Sequence, residues 1–458
     1  MDIFWAILSS ATLRLCLILA ALAVMVRLKV KIGRVLMISP LLAAILFASR
    51  ELPSAFYHEA TRDNCTFIIK TATLIALIGL INFFGALLKE TEKLPRLMAA
   101  LLRMFKDTRI ALAGMPVLIG MLPMPGGALL SAPMVEEVAS SADREISPED
   151  KALVNYLFRH TWEYFLPVYP AILMAVIIWG VSIADIISRQ LVLTFAALAA
   201  ALFFVLRPVG PLRTESGSTT ASDGETAAGL RQIVGGVLPI AGVFATWYAL
   251  RAFGEDGPAF LGNARVIAWS QWGRVSLVVA LVLVNAAVVL HSHVERRWVW
   301  EHIKTCLPMD MFLLMLGAML FQAVTKSSGA VATYAEGGRL IGGLAWELQH
   351  LRIPLVLVVF FLPFISGILS GIAVFYVTVA FPILTGLIAL GDGYDGAATV
   401  LAFASGYAGV LLSPVHLCLL LTVQHFGARM GAVYRRLIAP VSFTVAVAFV
   451  LYFTSTKL

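Results

Sequence analysis

Charge is what this chain has least of. Only 13% of its 458 residues are Asp, Glu, Lys or Arg, while 60% are hydrophobic; a soluble domain carries about 25% charged residues. That excludes a soluble globular protein. Cysteine is sparse too: Cys16, Cys65, Cys306 and Cys418 lie far apart, which excludes a disulfide framework and the close spacings of zinc or redox motifs. The opening MDIFWAILSSATLRL has no basic region ahead of its apolar run and carries Arg14 inside it. It therefore reads as a first spanning helix and not as a cleaved signal. No HExxH pair is present, so zinc metalloprotease chemistry has no motif to rest on.

What the chain does have is apolar length. Mean hydropathy is +0.89, and runs such as Leu191–Val205 and Val278–Leu290 sit within segments long enough to cross a bilayer, roughly 20 residues. The expected fold is all-α, a polytopic membrane protein with about ten spanning helices. These lie near 4–26, 33–49, 66–88, 152–180 and 188–206, then near 231–252, 275–292, 305–326, 397–423 and 434–454. Between the two sets runs RPVGPLRTESGSTTASDGETAAG, polar and rich in small residues, a flexible linker by composition. The expected units are 1–207, a cytoplasmic linker at 208–229, and 230–458.

The net charge of +7 concentrates in loops, which orients helices and needs no nucleic acid. The stretches 26–35, 89–109, 291–304 and 425–436 are rich in Lys and Arg, whereas 50–65 and 387–397 are poorer in them. Placing the basic loops and the linker inside puts both termini outside. Each half then has an odd number of spans, and the two halves enter the membrane in opposite senses. Weak self-similarity runs in the same order: FFGALLKET (83–91) with LFQAVTKSS (320–328), 107–127 with 350–370, and FLPVYPAIL (165–173) with LLSPVHLCL (411–419).

Two apolar segments at corresponding places in the halves are broken by Pro, Gly and Ser. Irregular backbone at membrane depth survives only against protein or a water-filled cavity, and paired interruptions point to a transporter's binding site. In MLPMPGGALLSAPMVEE (121–137), Pro123, Pro125, Gly126 and Gly127 stop a helix from passing straight through. The expectation is a re-entrant hairpin over 110–138 with its loop at Met124–Ala128. Its second helix would aim a positive dipole end and free N–H groups at that loop, a ready anion site, with Ser131 one turn in. A Pro kink in an ordinary span is the alternative. The partner, 353–388, offers Ser366, Gly367, Ser370 and Gly371 as a second tip. There, small-xxx-small spacing is equally a helix-packing device.

Two Pro-interrupted spans flank these hairpins. NYLFRHTWEYFLPVYPAILMA (155–175) carries Arg159, His160, Glu163, Tyr164 and Tyr169 beside Pro167 and Pro170. Ionisable groups at membrane depth are costly and point to function. Glu163 could carry a coupling proton, His160 relay it, and Arg159 pair with either, since i, i+3 and i+4 share a helix face; interfacial placement and a structural ion pair are the bland alternative. SGYAGVLLSPVHL (405–417) places Tyr407, Ser413 and His416 around Pro414. His416 is read as either a packing residue or a proton carrier. Arg14 and Lys70 can snorkel to an interface, Asn82 reads as a helix–helix hydrogen bond or a site contact, and His291 with His293 is a weak metal pair.

LPMPGGALLSAPMV, followed by a FRHTWEYFLPVYPAI-type span, resembles the bacterial membrane-protein family labelled domain of unknown function 401. That family resembles the ion-transporter clan of gluconate permeases, C4-dicarboxylate carriers and divalent-anion/sodium symporters. The resemblance spans nearly the whole chain. It implies two inverted repeats, each with a re-entrant hairpin, a homodimer, and elevator-like transport of an anion. The first hairpin tip becomes Pro123–Ala128 with Ser131, and the second Ser366–Gly371. The Ser-Asn-Thr tip motifs by which divalent-anion/sodium symporters hold carboxylate and sodium are not present.

The expected function is secondary active transport of a small organic anion across the bacterial inner membrane, with Na+ or H+ as coupling ion and no other cofactor. The chain is not expected to be an enzyme or to bind nucleic acid. A non-transporting scaffold or a channel is the first rival. An intramembrane hydrolase using Ser405 with His416 or His425 is the second.

Overall fold

A computed structural model describes residues 10–47, 66–91, 108–121, 127–210, 223–253, 269–307, 309–327, 340–389 and 395–455. The described residues form helices joined by short turns. In the first half these are α1 (Ala11–Arg27), α2 (Ile32–Phe47), α3 (Thr66–Glu90), α4 (Thr108–Gly120), α5 (Ala128–Ser140), α6 (Pro148–His160), α7 (Pro170–Trp179) and α8 (Ile183–Ala201). The second half holds α9 (Asp223–Phe253), α10 (Trp269–His291), α11 (Arg296–Thr305), α12 (Met309–Ser327) and α13 (Leu340–His350). It continues with α14 (Leu355–Ser370), α15 (Ala373–Ala389), α16 (Gly396–Leu411), α17 (Leu417–Phe426) and α18 (Met430–Ser455).

Five of these helical stretches are long and apolar enough to cross a bilayer: Lys70–Glu90, Ile183–Val209, Val234–Arg251, Trp272–His291 and Met430–Ser455. Shorter apolar helices, α2, α4, α7 and α14–α17, fill the space between. Large apolar side chains on the long helices face outward, Phe195, Leu238, Leu290 and Val450 among them, as a lipid-facing surface requires. The chain is an all-helical, multi-pass membrane protein.

Local sequence explains where helices start and stop. SPED opens α6: Ser147 accepts from Asp150 N at 3.1 Å, Pro148 occupies the first turn, and Glu149 and Asp150 meet the positive dipole end. Asp395 caps α16 through Ala397 N (2.8 Å) and Ala398 N (3.1 Å). Gly180 ends α7 and Gly427 ends α17, each in the left-handed region. The stretch expected as linker is shorter than 208–229, because a helical turn at Arg207–Val209 and the start of α9 at Asp223 occupy its ends. Residues 211–222 lie outside the described residues.

The core is built around α16, every residue of which is buried. Its small-residue face takes α14 at backbone distance: a Cβ on Gly409 would stand 2.2 Å from Phe364 O, and one on Gly367 2.2 Å from Gly406 O. No side chain fits there. The remaining helices interleave the halves, with α7 packing on α15, α2 on α12, and α17 on both α5 and α6.

Glu347 of α13 ties the halves together near their rim. Its carboxylate accepts from Ala11 N (2.6 Å), Thr12 N (2.9 Å) and the Thr12 hydroxyl, capping α1. Burial pushes this carboxyl up, but the donations from Thr12, Ala11 and Ser10 outweigh it and hold it below its ordinary value of 4.5. A lowered folded-state value adds stability above the ordinary value and loses it as pH falls through the folded one. Replacing Glu347 by Ala is therefore expected to cost about 1 kcal/mol at neutral pH. In thermal melts, the gap between variant and native protein closes as the medium is acidified below 4.5.

Candidate functional site

The two broken segments and the two Pro-interrupted spans meet at one place. In the first half, α4 and α5 pack against each other across residues 121–127. Pro123, Pro125 and Gly126 lie outside the described residues. Gly127 is the residue before α5 and gives its N-terminus no side-chain cap. Ser131, one turn in, is buried, and its hydroxyl points back to Ala128 O (3.3 Å) and Gly127 O (3.4 Å).

The next span grips this hairpin. Helix α6 ends at His160, a 3-10 turn covers Thr161–Tyr164, and α7 starts only at Pro170. Trp162 Nε1 donates to Val117 O at 2.7 Å and the Tyr169 hydroxyl donates to Gly120 O, so the unwound stretch holds the end of α4. Asn155 and Arg159, one turn apart on α6, hold the start of α5. Asn155 Nδ2 donates to Ala128 O (3.2 Å) and to the Thr422 hydroxyl (3.1 Å). The Arg159 guanidinium lies against Gly127, so close that a Cβ there would stand 2.5 Å from Nη2. Gly127 is bare because the guanidinium occupies the space of a side chain.

A second helix pair lies in the other half of the chain. Helices α14 and α15 pack on each other across a turn of two residues, Gly371 and Ile372, with Gly371 at φ 63°. Within the expected tip Ser366–Gly371 the helix runs on through Ser370, and the turn falls at its last residue, Gly371. Ser366 and Ser370 hydroxyls serve their own helix, donating to Leu362 O (2.8 Å) and Ser366 O (2.9 Å). Gly367 belongs to the seam with α16. A hydroxyl at i satisfied by the i−4 carbonyl is the ordinary fate of helical serine, and close contact explains the glycine.

The span after it grips the turn in its own way. Helix α16 stops at Leu411 and α17 starts at Leu417, with Pro414 in the gap. Ser413 donates to Ile368 O (2.7 Å), and His416 Nδ1 donates to Gly371 O (2.6 Å). The two grips touch through their histidines: His160 Nε2 and His416 Nε2 are 3.2 Å apart. Glu163 Oε1 lies 3.8 Å from His160 Nε2. Tyr407 donates to His160 O (3.2 Å) and its ring meets that of Tyr164 edge-on at 4.8 Å.

Of the expected residues, Gly127, Gly371, His160, Glu163, Tyr164, Tyr407, Ser413 and His416 are drawn into this junction. Ser366, Gly367 and Ser370 stand in the adjoining seam. Asn82 makes a helix–helix contact instead, donating to Cys306 O at 2.9 Å. His291 and His293 are both exposed. Ser405 donates to Ala402 O (3.0 Å) and Val359 O (3.4 Å), while His416 is engaged with Gly371 and His160.

Sequence reasoning missed the anchoring role of Asn155, Trp162 and Tyr169, and it missed Cys418. Arg159 Nη1 lies 3.4 Å from both Cys418 Sγ and His160 Nε2. His160, His416 and Cys418 bring two ring nitrogens and a sulfur within 4.8 Å of one another, the one such metal-capable set among the described residues. The guanidinium beside two of those atoms opposes a second cation there. The spacing His416-x-Cys418 after a helix-breaking Pro414 was the available signal for Cys418.

A search of curated proteins finds no match to the chain. The sequence profile of a family described as "Protein of unknown function (DUF401)" matches residues 9–218 and 264–454, which takes in both hairpins, both broken spans and every residue of the junction. The chain belongs to the DUF401 family.

Proposed function

We propose that this protein is a secondary active transporter of a small organic anion, of the carboxylate or sugar-acid class, coupled to protons or sodium. One observation carries the reading: the buried Arg159 guanidinium packed against Gly127 at the N-terminus of α5. A helix N-terminus and a guanidinium both favour a negative group, and here they stand side by side. A carboxylate suits both, since the guanidinium offers paired donors. Hairpin ends and broken spans meeting at one point support a midplane site between two inverted repeats. On this reading the repeats work in an elevator-type cycle like that of the ion-transporter clan, as a homodimer in the bacterial cytoplasmic membrane with both termini outside.

The alternatives draw less support. A channel or scaffold needs no buried cation at a helix end. An intramembrane hydrolase needs a serine–histidine contact, and Ser405 and His416 are each engaged with other partners.

Reconstituted protein tests the reading directly. Proteoliposomes offered a panel of labelled organic acids, with imposed proton and sodium gradients, are expected to show saturable, gradient-dependent uptake; non-saturating flux or none overturns it. Anions that bind are also expected to raise the melting temperature of the purified protein by mass action. The Glu163→Gln variant is expected to remain folded and lose uptake driven by a pH gradient. Unchanged proton drive in that variant removes Glu163 from the coupling machinery.

A further inference from the structure

One end of the helix bundle is cationic and apolar at once. Asp310 Oδ1, at the start of α12, accepts from Gly33 N at 3.2 Å, which sets the α1–α2 turn beside the join of α11 and α12. Asn82 donates to Cys306 O, and the Phe83 and Trp298 rings stand 5.8 Å apart, so α11 lies along the C-terminal half of α3. Arg27, Lys29, Lys31 and Arg34 around the turn, Lys89 of α3, and Arg296, Arg297 and Lys304 of α11 are all exposed. The acids in these same stretches are Glu90, Glu295, Glu301 and Asp310, so positive charge is in excess.

Helix α11 has two apolar edges, and one of them is bare. Trp298 and Val299 pack on Phe83, Leu87 and Val288. Trp300 and Ile303, one turn apart, are 65% and 46% exposed. Arg296, Trp300 and Lys304 follow one another at i, i+4 and i+8, so they form one ridge beside Ile303. The Lys304 ammonium stands 5.9 Å from the centre of the Trp300 ring. Leu28 and Met309, at the same end, are exposed as well. Such a surface suits the bilayer interface, which offers hydrocarbon to Trp and Ile and phosphate to the cations. The helix meets α12 at 43°, so the chain changes direction at that level.

We propose that the Arg296–Trp300–Lys304 ridge binds the headgroup of an anionic phospholipid. The guanidinium and the ammonium flank the phosphodiester, the indole N–H is a further donor to it, and Ile303 rests at the acyl boundary. Charge selects the occupant. A zwitterionic headgroup brings its own cation, which the surplus positive charge at this end repels; phosphatidylglycerol brings none. The α1–α2 turn adds its cations to the same surface. By the bias of basic loops this end faces the cytoplasm, where anionic lipid gives the leaflet a negative surface potential. A lipid held on α11 braces the start of α12 and, through Asp310 and Gly33, the α2–α12 pair.

The test melts the full chain in detergent micelles doped with phosphatidylglycerol, with phosphatidylcholine, or with inorganic phosphate alone. Phosphatidylglycerol is expected to raise the melting temperature by mass action, and the other two to leave it unchanged. The rise is expected to shrink toward about 1 M sodium chloride, where charges are screened beyond about 3 Å. The double variant Arg296→Gln, Lys304→Gln is expected to melt like the native protein in phosphatidylcholine and to bind phosphatidylglycerol about thirtyfold more weakly, the effect of two surface cations on an anionic lipid. Should that variant fail to fold, brominated lipids decide. Brominated phosphatidylglycerol is expected to quench tryptophan fluorescence of the native protein more than brominated phosphatidylcholine does, and Trp300→Phe to remove the excess. Equal effects of the two lipids, or a double variant that keeps the whole rise, overturn the proposal. A rise with inorganic phosphate equal to that with phosphatidylglycerol overturns the lipid as occupant. So does a Trp300→Ala variant that passes from dimer to monomer, since a second copy then covers this face.

Discussion

Arg159→Lys is expected to abolish anion-induced stabilisation and gradient-driven uptake while the protein still folds. The substitution keeps the charge and shortens the reach. It also replaces a planar five-donor fork by a compact ammonium, which is not a conservative change at a carboxylate site. Arg159 is 2% exposed, so nothing from solvent takes its place. Removing one partner of a buried charged pair costs about 3–5 kcal/mol, and about 3 kcal/mol corresponds to roughly a hundredfold in affinity. Arg159→Gln is expected to lose as much or more. Gly127→Ala probes the same contact from the other side, because its Cβ would stand 2.5 Å from Nη2 and must push the guanidinium off the helix end. Thermal shift against the organic-acid panel reads all three. Retained anion stabilisation in Arg159→Gln would remove the guanidinium from the site.

The largest effect on stability is expected at the α14–α16 seam. Gly409→Val would drive a side chain into Phe364 O and Ile368 N, at 2.2 and 2.9 Å from the first added carbon alone. Both obstacles are backbone, so no rotamer change relieves the clash. The two helices must separate, and α16 is buried along its whole length. Overpacking a well-filled core typically costs about 1–3 kcal/mol and occasionally more; this site is expected at or above the upper figure, as a lowered melting temperature and loss of a monodisperse peak. Gly431→Ala in α18 is the matched control, with nothing within 4 Å of its added carbon. It is expected to be neutral or slightly stabilising, because alanine is the better helix former by about 1 kcal/mol. Equal melting of the two variants would mean that the seam is not as tight as its distances state.

The helices themselves were legible because long apolar runs and capping residues act locally. SPED before α6 and the Pro167–Pro170 pair mark a start and a break that need no knowledge of the rest of the chain. The second hairpin was harder, because glycine does two jobs that sequence does not separate. Gly367 is there for close approach and Gly371 for a left-handed turn, yet both appear as one small residue in a run of apolar ones. The expected tip Ser366–Gly371 therefore spans both jobs, and only its last residue makes the turn. The partnership of Arg159 with Gly127 was not legible either. Helical spacing put Arg159, His160 and Glu163 near one another, but which hairpin end the guanidinium meets is decided by tertiary packing.

The cap that Glu347 places on α1 has a consequence for biogenesis. Donor and acceptor are separated by 336 positions in the chain. At translation speeds of about 5–20 residues per second, the amides at the start of α1 wait roughly 20–70 seconds for their carboxylate to be made. During that interval Ser10 alone caps the helix, accepting from Leu13 N, while Ala11 N and Thr12 N are without their carboxylate. Closure of the two halves is therefore a late assembly step, and a nascent chain arrested before α13 would carry a first helix that has not reached its final partner.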